Sequence, residues 1–191
     1  MMPGMRRWPP HAMILLLAAV AGCAGGPSAT TAADTTATTV ITQPDKREPV
    51  AALRGELLDG TTLDTAELDQ MVVVVNFWAS WCAPCRAEAD ELNATAAATR
   101  DLGVRFVGVN VRDSRDAARA FVQGREAYPS LFDPAGRVAL TFTGISPAAI
   151  PATVILDRSG RTAVVLQKVV TERELTPLIR DVAAEDPEAP R

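Results

Sequence analysis

Residues 71–77 read Met-Val-Val-Val-Val-Asn-Phe, and the chain then passes quickly to Cys82-Ala83-Pro84-Cys85. A continuous, mostly β-branched apolar run has no polar face to offer water. It fits a strand buried on both sides, as in the middle of a sheet with parallel neighbours. The Ala- and Glu-rich run that follows, to about residue 99, predicts a helix, with Pro84 in its first turn, where a missing N–H costs little. Strand, short connection and helix therefore place both cysteines at the start of a helix, at the end of a central strand.

The remaining pattern completes an α/β fold. Residues 50–58 alternate loosely and end at the Asp59-Gly60 turn signal, and 61–63 return, which predicts a β-hairpin. Asp64 to Glu67 caps a short helical turn. Residues 104–111 predict a second buried strand, 114–123 a helix with Ser114 as N-cap, 128–132 a short strand and 134–142 a helix. Residues 152–156 and 161–170 read as an antiparallel hairpin around a turn at 157–160. Residues 171–185 read as a last helix opened by a Thr171/Glu174 capping box. Alternating strands and helices imply right-handed parallel crossovers. The expected architecture is a central mixed β-sheet flanked by helices, with an extra N-terminal β-hairpin.

The flanks have other jobs. Residues 1–22 have the form of an export signal: Arg6 and Arg7 precede an apolar stretch at 12–20 that is too short to span a bilayer as an ordinary helix. That stretch ends Val20-Ala21-Gly22-Cys23, which is similar to a bacterial lipobox, so Cys23 is expected to carry lipid and become the mature N-terminus. Residues 23–48, rich in Thr and Ala, are expected to be a flexible tether. The folded domain is expected at 49–186, and 187–191 as a frayed tail.

Charge and residue counts exclude several classes. Nineteen Lys and Arg against 23 Asp and Glu give a net charge of -4, and no basic stripe supports nucleic-acid binding. Three cysteines, Cys23, Cys82 and Cys85, are too few for a disulfide scaffold. The sole histidine, His11, lies near the N-terminus, which leaves the domain without Cys-His catalysis or a His-ligated metal. A C-x-x-C pair can be half of a zinc site, but zinc needs four ligands and the domain has no further Cys or His. No metal and no cofactor are expected.

The pair has its own chemistry. At a helix start, free backbone N–H groups and the positive end of the helix dipole favour a thiolate at Cys82, the attacking species in disulfide exchange. Cys85, one turn on, can close a disulfide with it and should be the more buried partner. Trp81 should shield the sulfurs on one side.

The segment Asn76-Phe77-Trp78-Ala79-Ser80-Trp81-Cys82-Ala83-Pro84-Cys85-Arg86-Ala87-Glu88 resembles the signature of the TlpA/ResA-like thiol-disulfide oxidoreductases of the thioredoxin superfamily. The likeness runs from about residue 49 to 181, through Val107-Gly108-Val109-Asn110-Val111 and Ile150-Pro151-Ala152-Thr153-Val154. It implies a thioredoxin-like fold and an enzyme in which Cys82 attacks and Cys85 resolves. It further implies reduction of protein disulfides, with cytochrome c maturation as one destination. The expected place is the extracytoplasmic side of a bacterial cell membrane, in the cell envelope, held by the lipid anchor. Exported space is oxidising, so a reductant there needs a membrane electron-donor protein.

The resemblance also assigns supporting residues. Pro151 matches a cis-proline that faces the cysteine pair, although Pro147 competes by sequence alone. Asn76 stands where thioredoxin has a buried Asp. Asp113 stands near the place of a Glu in the TlpA/ResA-like branch; it is either the proton carrier for Cys85, with a pKa raised by burial, or only a helix cap. Glu88 is expected to be a solvated helix residue. An alternative of another class is a redox-sensing or binding lipoprotein without turnover. A peroxidase is disfavoured because no Pro-x-x-x-Thr-x-x-Cys context precedes Cys82.

Overall fold

The computed structural model describes residues 38–185 apart from Glu126 and Pro147. The export signal, Cys23, His11 and the C-terminal tail lie outside the described residues. The elements are β1 (Thr38–Ile41), β2 (Arg54–Glu56), β3 (Thr62–Asp64), β4 (Val72–Trp78), α1 (Ala83–Thr99), β5 (Val104–Val111), α2 (Arg115–Val122), β6 (Ser130–Asp133), β7 (Ala152–Leu156), β8 (Thr162–Gln167) and α3 (Glu172–Ala183).

Six strands form one mixed sheet in the order β1-β8-β7-β4-β5-β6, and β2 and β3 form the separate hairpin. All seven residues of β4 are buried. It pairs parallel with β5, Val72 opposite Val104 through Trp78 opposite Asn110, and antiparallel with β7, Phe77 opposite Ala152. The carboxyl ends of β4 and β5 and the beginning of β7 therefore meet at one edge of the sheet.

Alternation along β4 sorts its side chains between two cores. Val72 and Val74 pack with Leu92 of α1 and with Leu175, Ile179 and Val182 of α3. Val73, Val75 and Phe77 pack on the other face with Leu53 and Leu57 near the hairpin and with Ala139, Phe142 and Ile145. That second face is closed largely by loop and hairpin side chains, because residues 134–142 do not form the expected helix. Gly136 takes a left-handed turn (φ 65°) and the Asp133 carboxylate accepts from the Val138 amide, so only a single 3-10 turn, Val138–Thr141, remains.

The structured part also begins earlier than the expected tether boundary at residue 48. Thr38, Thr39, Val40 and Ile41 pair antiparallel with β8, which would otherwise be the sheet edge. All four of these residues are β-branched and favour an extended chain, because such side chains suit a pleated surface. The 171–174 cap is half of the expected box: the Thr171 hydroxyl accepts from the Glu174 amide, but the Glu174 carboxylate pairs with Lys168 instead.

A buried ionic clasp closes the end of the sheet opposite the cysteines. Arg47, 8% exposed, donates to Asp157, which follows β7, and to Glu185 beyond α3. Its Nε also donates to the Thr42 carbonyl, so one side chain holds the entry segment against the β7–β8 turn. Asp157 is further bonded by the Ser159 and Arg161 amides and the Arg161 guanidinium. Removing a buried partner strands the other charge. Arg47→Met should cost about 3 kcal/mol in urea unfolding, at the lower end of the range for such pairs because Arg161 still neutralises Asp157. A loss below about 0.5 kcal/mol, the size of an ordinary surface substitution, would show that the clasp is not stabilising.

Candidate active site

Cys82 is the N-cap of α1, with extended backbone angles, and its Sγ accepts from the Cys85 amide at 3.2 Å. The two cysteines are joined, with Sγ atoms 2.01 Å apart and Cα atoms 5.3 Å apart. Pro84 sits in the first turn of α1, where it removes no helical hydrogen bond. Cys85, expected to be the more buried partner, is so only by a small margin, at 3% exposed against 4% for Cys82. Position at the helix terminus distinguishes the two, because only Cys82 caps the free amides. Both cysteines share a buried cluster with Leu58, Trp78, Ala79 and Ala118, against which Phe121 and Ile150 pack.

Three loops converge on this helix start. The bond between Ile150 and Pro151 is cis, and Pro151 immediately precedes Ala152, which pairs with Phe77 on β4. Ile150 reaches the cysteine cluster, so this loop forms one wall beside the disulfide. Pro147, the competing proline, lies outside the described residues. Trp81 is 57% exposed and is held by a bond from its Nε1 to the Arg112 carbonyl at 2.9 Å. Trp78, beneath it in sequence, is buried and donates to the Ser130 hydroxyl at 3.3 Å across Gly108. A Cβ on Gly108 would lie 2.1 Å from that hydroxyl oxygen, so only glycine allows this approach.

Asp113 joins the β4–α1 loop to the β5–α2 loop. Its carboxylate accepts from the Ser80 amide at 2.6 Å, the Ser80 hydroxyl at 2.9 Å, Asn110 Nδ2 at 3.0 Å and the Ser114 amide at 2.8 Å. Partial burial pushes its pKa up, but the bonds from Asn110, Ser80 and Ser114 outweigh this and hold it below the ordinary carboxylate range. The expected raised pKa is thus corrected. Asp113 stays ionised and fixes the loop that presents Cys82, and Ser114, not Asp113, caps α2 through the Ala117 amide.

The carboxyl group with a raised pKa is Glu88. The expectation of a solvated residue is overturned: Glu88 is fully buried on the inner face of α1, one turn after Cys85. Its Oε1 accepts from Asn76 Nδ2 at 3.1 Å and its Oε2 from the Val170 amide at 3.0 Å, while Asn76 also donates to the Thr153 hydroxyl. Burial pushes its pKa up to about 7, and the two bonds only partly oppose this. A signal for this was present in the sequence. Cys85, Glu88, Leu92, Thr95 and Thr99, spaced by three and four, are the buried residues of α1, and Glu88 occupies a position in that stripe. Asn76, in the place of a buried Asp, is the neutral partner that the carboxyl needs.

The unfolded chain loses the Glu88 proton near 4.5 and the folded chain near 7, so its contribution to stability is complete below 4.5 and is lost as pH rises towards 7. The shift corresponds to on the order of 3 kcal/mol. Glu88→Gln should remove this component, flattening the fall of Tm between pH 4.5 and 7.5. A fall unchanged from the parent protein would assign the pH dependence to another group.

Among the described residues no group of three or more His, Cys, Asp and Glu gathers to hold a metal, and no described helix is long and apolar enough to cross a membrane. Residues 47–165 match the sequence model of the AhpC/TSA family. The thiol:disulfide interchange protein DsbE of Yersinia pestis is 36% identical over 142 residues, 70% of this chain and 72% of that protein. A secreted thiol-disulfide isomerase from Corynebacterium glutamicum superposes with a TM-score of 0.73 at 32% identity, over 77% of this chain and 92% of that one. A DsbF homologue from Corynebacterium diphtheriae gives a TM-score of 0.71 at 34% identity, over 79% and 96% of the two chains. In keeping with the resemblance of its cysteine motif to the TlpA/ResA-like branch, the chain belongs to the AhpC/TSA family of the thioredoxin superfamily.

Proposed function

We infer that the protein is an extracytoplasmic thiol-disulfide oxidoreductase that exchanges the Cys82 and Cys85 dithiol for disulfides in protein substrates. The observation that carries this reading is the disulfide at the N-terminus of α1, beside the cis-Pro151 loop. In the reduced state the Cys82 thiolate attacks a substrate disulfide and releases one substrate thiol. The Cys85 thiolate then attacks Cys82 Sγ, closes the internal disulfide and releases the second thiol. Two electrons pass from the protein to the substrate. Glu88, buried one turn from Cys85 and able to hold a proton near neutral pH, is suited to exchange that proton as Cys85 ionises. Asp113, Trp81, Pro84 and Pro151 support the geometry.

The resemblance to TlpA/ResA-like proteins favours a reducing direction, with substrates in cytochrome c maturation. A membrane dithiol protein then restores the dithiol. The named secreted and interchange relatives support an extracytoplasmic place. The lipobox-like Val20-Ala21-Gly22-Cys23 supports a lipid anchor.

Cys85→Ser should accumulate a mixed disulfide between Cys82 and substrate, read by non-reducing electrophoresis and mass. Accumulation only in Cys82→Ser would reverse the two roles. Cys23→Ser should move the protein from the membrane fraction to the soluble fraction while leaving disulfide exchange in vitro unchanged. Continued membrane attachment would assign the anchor to another segment.

A further inference from the structure

We propose that Arg112 is a specificity-determining residue of this active site and selects substrate segments that carry a carboxylate beside the reacting cysteine. This rests on the oxidoreductase reading and adds the substrate class to it.

Arg112 follows β5 and adopts a left-handed backbone (φ 50°), one of two described non-glycine residues with positive φ. That conformation is unfavourable for a side chain with a Cβ, and such residues persist where the surroundings hold them. The contacts here reach two of the loops that converge at the cysteine pair. The Arg112 carbonyl accepts from Trp81 Nε1, and its guanidinium lies over the Trp81 ring, 5.6 Å from the centroid. The same guanidinium donates through Nη2 to the Ala148 carbonyl at 3.2 Å. Trp81 directly precedes Cys82, and Ala148 stands in the loop that leads to cis-Pro151. One residue therefore touches both walls between which an extended substrate segment would dock.

The charge of Arg112 is not consumed by these contacts. A cation-π contact takes up no hydrogen-bond donor, and among the described residues the Ala148 carbonyl is the one acceptor that the five-donor guanidinium of Arg112 meets. Arg47, Arg54, Arg115 and Arg161 each pair with a carboxylate, but among the described residues Arg112 has no such partner. The adjacent Asp113 carboxylate is bonded to Ser80, Asn110 and Ser114 instead. Arg86, which also forms no ion pair among the described residues, donates to the Ser80 carbonyl in the same loop and reinforces the positive rim. Two of the described arginines without a carboxylate partner, Arg86 and Arg112, thus lie at the redox loop of a chain whose net charge is -4. A carboxylate is the group that a fixed guanidinium fork binds best.

The test uses three disulfide peptides that differ only at the residue next to the reacting cysteine: Glu, Gln or Lys. The reduced protein is turned over with dithiothreitol as the electron source, and kcat/KM is measured for each. The parent protein should prefer the Glu peptide over the Lys peptide by roughly tenfold at low ionic strength, as for a charge pair at an accessible rim. The preference should shrink in about 0.5 M salt, where the screening length is only a few ångströms. In Arg112→Gln the Glu-to-Lys ratio should fall to about one, with the Gln peptide still turned over. Arg112→Gly, which suits the left-handed backbone, removes the charge without backbone strain and should give the same loss of preference even if Arg112→Gln unfolds. No preference in the parent protein, or a preference retained in Arg112→Gly, would overturn the proposal. Failure of the parent protein to turn over any of the three peptides would instead remove the oxidoreductase reading, and the proposal with it.

Discussion

The structure depends on the two-sided pairing of β4. A strand with parallel β5 on one side, antiparallel β7 on the other and apolar packing on both faces has little freedom to shift, because a one-residue slip would send every side chain to the opposite core. Its last residue fixes where the chain leaves the sheet, and the free amides of α1 begin shortly afterwards. The reactivity of the cysteine pair is thus a product of the core: the helix terminus that favours a thiolate is aimed by the strand that precedes it.

The same strand supplies the polar exception inside that core. Asn76 interrupts the apolar run and donates to Glu88 of α1 and Thr153 of β7, while the Val170 amide ahead of α3 completes the set. A buried carboxyl without donors would be costly. Here two donors lessen the cost without removing it, and the residual penalty leaves the group titratable near neutral pH. The site combines a rigid apolar frame with one internal proton-holding group.

Much of this was legible in the sequence. The β4 run, the helix with Pro84 in its first turn, the Ser114 cap and the late β7–β8 hairpin are each written in local chemistry, and the structure contains them. The cis bond before Pro151 was read from the family resemblance. What local patterns missed was decided by distant partners. The stretch 23–48 reads as a tether until β8 offers an edge to Thr38–Ile41 and until Asp157 and Glu185 hold its Arg47. Glu88 reads as solvated because carboxyl groups usually are, although its place in the buried stripe of α1 told otherwise. For Asp113 a raised pKa follows if only burial is considered, and the ring of donors that lowers it comes from Ser80, Asn110 and Ser114 folding around it.

The two carboxyl groups around the redox helix consequently respond to the medium in opposite ways. Asp113, ringed by donors, keeps its charge through the neutral range, so the loop that presents Cys82 is insulated from acidity. Glu88 lies on the interior side and changes charge within that range. The carboxyl beneath the cysteine pair therefore gains or loses its proton near neutral pH, while the loop above it keeps the same charge and the same bonds.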